Sequence, residues 1–339
     1  MKIRLDARHI DVFTISPRTT DPKAYWTNIE NVIDWSEKFD CSGILLFTGN
    51  DTYVEPWLAA HTVCTRTINL CPLVAVNPVY MHPFTAAKMI STLAYLYKRK
   101  IFLNMVTGTA LSYLEALNDH LSHSERYHRL REYCELIRAL LSSPRPVSFD
   151  GQYYKTEHLQ LSPRVPRDLQ PAFLLAGHSD DAAKTAHAVG GIQMQMLPAN
   201  VDDLATGVKG IHFGIVTREQ EAHAWQAASE LFPDDDMGRE LLELSMQNTD
   251  SAWKMRLQRA ADMIASPTPG YWLDPFRTFK ADCPYFVGTY QDTAALVATL
   301  VRRGIDTFIL DIPAREEEFY HVDRVFQSAQ QELLERPSS

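Results

Sequence analysis

The 339-residue chain has no cysteines at CxxC spacing, no apolar run of membrane-spanning length and no surplus of basic residues. Its five cysteines, Cys41, Cys64, Cys71, Cys134 and Cys283, are scattered and odd in number. That pattern fits reduced thiols and speaks against a disulfide scaffold or a zinc site. No segment approaches the ~20 apolar residues of a transmembrane helix. Lys and Arg total 33 against 42 Asp and Glu, a net charge of −9 that disfavours nucleic-acid and anionic-membrane partners. The start, Met1-Lys2-Ile3-Arg4-Leu5-Asp6, lacks the apolar core and small-residue cleavage site of a signal peptide, so a cytoplasmic protein is expected. No GxSxG elbow, P-loop or GxGxxG is present, which argues against serine acyl transfer, nucleotide hydrolysis and a Rossmann cofactor. His82, His120, His123 and His128 lack ligand-like spacing and paired carboxylates, so no metal site is expected.

What is present is an ordinary globular balance, 45% hydrophobic and 22% charged, able to bury a large core. Apolar runs over 9–16, 43–48, 68–76, 101–107, 173–177, 193–196, 210–216 and 307–312 alternate with amphipathic stretches of helical period. This βα rhythm implies an α/β fold, a (β/α)8 TIM barrel, which at ~250 residues plus insertions accounts for the length. The rhythm breaks twice. A hairpin-like excursion is expected at about 144–171, and a second irregular block at about 234–284, helical over 239–247 and 252–264 and loop-like around Tyr271-Trp272. Both are read as insertions over the C-terminal face. With no internal repeat and no low-complexity linker, residues 1–339 read as one domain.

Two motifs carry chemistry. The run Ile101 to Gly108 ends in a polar edge, Asn104, Thr107 and Gly108, and a helix opens with His123-Ser124-Glu125-Arg126-Tyr127. Barrel strands deliver polar groups at their C-terminal ends, and helix N-termini receive anions. The second motif, Leu174-Leu175-Ala176-Gly177-His178-Ser179-Asp180, brings an apolar strand into a glycine and then a capped helix. There a ligand can approach the backbone and Ser179 with the first helical N–H groups can hold a phosphate. Singly, each reads equally well as a helix cap. The aromatics Tyr53, Trp57, Tyr271, Trp272 and Phe276 fall in stretches read as loops, suited either to stacking on a ligand or to packing on their own scaffold.

The pair Asn104-x-Val106-Thr107-Gly108 and His123-Ser124-Glu125-Arg126-Tyr127 resembles the bacterial-luciferase-like flavin monooxygenases, most closely the alkanesulfonate monooxygenase branch. Gly288-Thr289 before a long helix and Gly304-Ile305-Asp306-Thr307-Phe308 resemble its C-terminal signature. The resemblance implies FMN held by Asn104, Thr107, His123, Tyr127, Gly177, His178 and Ser179. It further implies FMNH2 delivered by a separate flavin reductase, O2 as co-substrate and a homodimer or homotetramer. The substrate half of the pattern departs from that branch. Its cysteine falls at Tyr53, its arginine at His212, its histidine at Gly214 and its last-strand tyrosine at Ile312, beside Asp311. Loss of the arginine weakens a sulfonate assignment. The expectation is therefore an FMNH2-dependent monooxygenase of specialised metabolism, acting on a small or carrier-tethered substrate, with His212 and Tyr53 as catalytic candidates. A hydride-transfer enzyme using F420 and a non-catalytic flavin-binding barrel are the alternatives.

Overall fold

The computed structural model describes residues 1–5, 8–18, 21–108, 110–177, 179–263 and 268–335. The fold is the α/β class expected, a (β/α)8 barrel. All eight expected strands form: Arg8–Ile15, Gly43–Leu46, Cys71–Val76, Phe102–Met105, Ala172–Ala176, Ile192–Met196, Gly210–Arg218 and Thr307–Asp311. The chain divides into two compact units, Met1–Ile44 with Met194–Ser339, and Leu45–Gln193.

In the first unit Gly210–Arg218 is the hub. Its first half pairs in parallel with Thr307–Asp311, from Gly210↔Thr307 to Gly214↔Asp311, and with Met194 to Met196. Its second half changes partner, pairing in parallel with Tyr285–Thr289 from Gly214↔Tyr285 to Arg218↔Thr289. Arg8–Ile15 lies parallel to Thr307–Asp311 on the far side. Parallel strands covered on both faces need apolar side chains in both directions. Ile211, Phe213, Ile215, Phe308 and Leu310 accordingly have no exposed surface. The Tyr290–Arg302 helix begins with a reciprocal capping box between Thr289 and Asp292. The block at 234–284 holds the helices Asp236–Gln247 and Ala252–Met263, the short strand Tyr271–Trp272 and the short helix Asp274–Arg277.

In the second unit Phe102–Met105 sits between Cys71–Val76 and Ala172–Ala176, all parallel, with Asn104 level with Ala75 and Leu174. The strand expected from 68 starts only at Cys71, because Ile68 is 83% exposed in a bend. The helices Pro56–Arg66 and Pro83–Tyr97 start with Pro after an extended capping residue, Glu55 or His82. His123–Ser142 starts with a capping box between Ser122 and Glu125. The excursion at 144–171 is an antiparallel hairpin, Val147–Asp150 against Lys155–Leu159. Its tip is tied to the neighbouring helix by Glu132, whose carboxylate accepts the backbone N–H groups of Gln152, Tyr153 and Tyr154 at 2.8, 2.8 and 3.3 Å.

Among the described residues no helix is long and apolar enough to cross a membrane. Nor do any three His, Cys, Asp or Glu among them group so as to hold a metal ion.

Candidate functional site

Within the second unit the two sequence motifs come together. Tyr127, on the first turn and a half of the His123–Ser142 helix, directs its hydroxyl to the carbonyl of Ala176 at 3.5 Å. His123 stacks at a tilt on Tyr127, ring centres 5.0 Å apart, and its Nδ1 lies 3.9 Å from the Asp181 carboxylate. Between these contacts sits Gly177, with φ +152°. A Cβ there would meet the Ala182 methyl at 2.5 Å and the Tyr127 hydroxyl at 2.8 Å, so the turn admits only glycine. Ser179 caps the next helix, Asp180–Ala188, accepting the Ala182 N–H at 3.2 Å. Gly177, Ser179, His123 and Tyr127 therefore form one cluster. His178, assigned to the same turn, lies outside the described residues. Asn104 is buried on its strand, and Thr107 follows the strand end, half-buried.

The groups brought together are a glycine whose backbone is open to close approach, a hydroxyl, an imidazole and a helix start, the kind of place where anions are received. Asp180 and Asp181 occupy that same first turn, which puts a carboxylate 3.9 Å from His123 Nδ1.

The first unit holds a second polar cluster. Arg18, beyond the first strand, ion-pairs with Asp282; their side chains are 40% and 28% exposed. The Cys283 thiol reaches Asp311 Oδ2 at 3.8 Å, and the buried Tyr285 phenol is near enough to the same carboxyl to interact with its charge. His212 stands half-buried on the central strand, two residues before Gly214, so that both belong to one face. Its Nε2 is cut off from solvent and has no hydrogen-bond partner.

Electrostatics sort these groups. Desolvation, assisted by the Arg18 charge, lowers His212 to about 4, so at neutral pH it is an uncharged imidazole. Burial lifts Asp311 above the ordinary carboxylate range, and Arg18, Tyr285 and Cys283 only partly oppose it. Burial acts on Asp282 in the same direction, but there the Arg18 partner prevails and holds it below that range.

Tyr53 is 54% exposed, on the approach to the Pro56–Arg66 helix. The other aromatics read as loop residues are mostly core. Trp57 is 4% exposed within a helix, Tyr271 is 8% exposed in a strand and Phe276 is 1% exposed in a short helix. A cavity of about 700 Å³ in the second unit has a mostly apolar wall, with Trp57, Met81, Met89 and Leu93, and polar groups from Glu55 and His61. Sequence reasoning missed Arg18, Asp282, Cys283 and Tyr285. Asp311, a polar residue ending a barrel strand, carried the one local signal.

The family model described as luciferase-like monooxygenase matches residues 10–307. A relative from Niallia circulans, 4-(gamma-L-glutamylamino)butanoyl-(BtrI acyl-carrier protein) monooxygenase BtrO, is 28% identical over 314 residues, covering 89% of this chain and 91% of that one. The structure of EDTA monooxygenase (EmoA) from Chelativorans sp. BNC1 superposes with a TM-score of 0.72 at 15% identity, covering 98% of this chain and 95% of that one. An F420-dependent secondary alcohol dehydrogenase superposes with a TM-score of 0.63 at 14% identity, covering 94% and 99%.

Proposed function

The chain belongs to the luciferase-like monooxygenase family and is an oxidoreductase, and from that premise we propose an FMNH2-dependent, two-component monooxygenase acting on an acyl group tethered to a carrier protein. The observation that carries the flavin assignment is the approach of Tyr127 to Ala176 and Gly177 and of His123 to Asp181, on either side of the cap residue Ser179. In this reading Ser179 and the start of the Asp180–Ala188 helix hold the phosphate, and Gly177 lets it approach the backbone. His123 and Tyr127 fix the turn, while Asn104 and Thr107 supply polar contacts from the strand end. Reduced flavin supplies the two electrons that activate O2, so that one oxygen atom enters the substrate and the other leaves as water. The acyl-carrier relative, matched over nine-tenths of both chains, supports the tethered substrate. We also read both units as one luciferase-like domain, with 144–171 and 234–284 as its insertions, a homo-oligomer served by a separate reductase. His212, neutral at working pH, is assigned to accept or relay a proton on the substrate side, with Tyr53 as an outer contact.

The test is an anaerobic titration with FMNH2, FMN and reduced F420, followed by addition of O2 and an acyl-carrier substrate. Preferential FMNH2 binding and a product 16 mass units heavier are expected. Preference for F420 with oxygen-independent turnover replaces this reading with hydride transfer, and FMN binding without O2 consumption replaces it with a flavin-binding protein.

A further inference from the structure

Gly214 is the point where the central strand exchanges one neighbour for another. It stands level with Asp311 on one side and with Tyr285 on the other, and its N–H donates to the Pro284 carbonyl at 2.8 Å. The space a side chain would take at Gly214 is filled by the Tyr285 ring: an added Cβ would lie 2.2 to 2.4 Å from three of its carbons. The ring is otherwise wedged in core, 4.8 Å from the Phe232 ring, and is 1% exposed. Its phenol and the Asp311 carboxyl are close enough to influence one another's charge, and the Cys283 thiol reaches the same carboxyl at 3.8 Å. The inner side of Asp311 is thus dry and lined by two weak donors, while the Arg18–Asp282 pair nearby is open to solvent.

We propose that Tyr285 is a positioning residue, which through the empty side-chain position of Gly214 aims Asp311 as the proton-exchanging carboxyl of this site. The role rests on the monooxygenase reading above. The O–H bond of protonated Asp311 breaks as an O–H or N–H bond forms at the bound reactant. The resulting carboxylate is held by the Tyr285 hydroxyl, the Cys283 thiol and the Arg18 charge, and a proton returns from solvent past Arg18 and Asp282. The groups facing this centre are Arg18 beyond the first strand, Asp282, Cys283 and Tyr285 before and on the added strand, and His212 on the central strand. Lys254 on the Ala252–Met263 helix acts on it through Asp282. Burial raises Asp311, so that it keeps its proton to higher pH than an ordinary carboxylate, and Tyr285 stays a neutral donor because burial pushes its phenol far up.

The test is an infrared titration of the protonated-carboxyl stretch in wild type, Asp311→Asn, Tyr285→Phe and Cys283→Ala. The same variants are followed for the pH profile of FMNH2 oxidation in air. Tyr285→Phe keeps the ring over Gly214 and removes only the donor. The band lost in Asp311→Asn is expected to titrate above the ordinary range, and in Tyr285→Phe about one pH unit higher still, since a hydrogen bond to the charged form favours it. The pH profile should move with it and flatten in Asp311→Asn. An unmoved band in Tyr285→Phe overturns the positioning role, and an unchanged profile in Asp311→Asn overturns proton exchange. A wild type that binds no FMNH2 overturns the reading beneath the proposal, and is told apart because the infrared shift remains measurable without flavin.

Discussion

The guanidinium of Arg218 and the carboxylate of Glu318 make two parallel hydrogen bonds, of 3.0 and 2.5 Å, between residues a hundred positions apart. They join the end of the central strand to the first turn of the Glu316–Glu335 helix, and Glu318 is only 2% exposed. The two-pronged geometry suits arginine and not lysine. A buried pair is weak evidence of net stabilisation, but removing one partner strands the other charge. Arg218→Ala should therefore lower the unfolding free energy by about 3–5 kcal/mol, whereas Arg218→Met with Glu318→Leu should cost far less. Urea unfolding of both variants checks this, and equal losses would mean the double replacement packs poorly and the ion pair itself is stabilising.

Glu132 gathers three backbone donors at the tip of the 147–159 hairpin. Glu132→Ala leaves them without a protein acceptor, a local loss of roughly 1–3 kcal/mol. Amide exchange at Gln152 and Tyr153 should quicken by an order of magnitude or more, while the strands of the second unit exchange as before. Uniform acceleration across the unit would show that the hairpin is part of its cooperative core. Gly151 should resist substitution for the same reason, because a Cβ there would lie 2.3 Å from a Glu132 oxygen.

The barrel strands are legible in sequence because parallel strands covered on both faces become uninterrupted apolar runs, as Phe308-Ile309-Leu310 shows. The added strand Tyr285–Thr289 is not, since Pro284 and Gly288 make it read as loop. The residues assigned to the flavin in our proposal could be picked out in sequence because cap chemistry is local: Ser122, His123 and Tyr127 lie within six positions. Arg18 and Asp282 were not, because 264 positions separate them and only strand pairing brings them together. Gly214 shows the same limit. As a letter it reads as a lost histidine; in the fold its missing side chain is the space Tyr285 needs.

His212 makes stability depend on acid. Its proton is bound less readily in the fold, near pH 4, than in the unfolded chain, near 6.5. The neutral imidazole's contribution is complete above pH 6.5 and is lost as pH falls toward 4. For a partly exposed side chain the loss is roughly 2–3 kcal/mol over that window. Asp282, lowered from an ordinary value of 3.8, loses its contribution only at more acidic pH, while the raised Asp311 acts in the opposite sense to His212 and is common to wild type and variant. Denaturant titrations at pH 7, 5.5 and 4.5 should therefore show a steeper decline in wild type than in His212→Asn. Parallel curves would place the titration of His212 at its ordinary value.

Gly177 is where the fold and the proposed flavin site make the same demand. Its φ of +152° and the crowding of Ala182 and Tyr127 leave no room for a methyl group. Gly177→Ala must push the Tyr127 ring or the first turn of the Asp180–Ala188 helix away from the turn, and either shift separates His123 from Asp181 and misplaces the helix start. Ser179→Ala removes a single cap, worth about 1 kcal/mol, and leaves the turn in place. FMNH2 affinity should thus fall at least tenfold in Gly177→Ala and only severalfold in Ser179→Ala. Circular dichroism melts on both proteins separate lost binding from lost folding. If Gly177→Ala melts like wild type and binds FMNH2 equally well, the phosphate is held elsewhere, and the convergence of the two helix starts is structural alone.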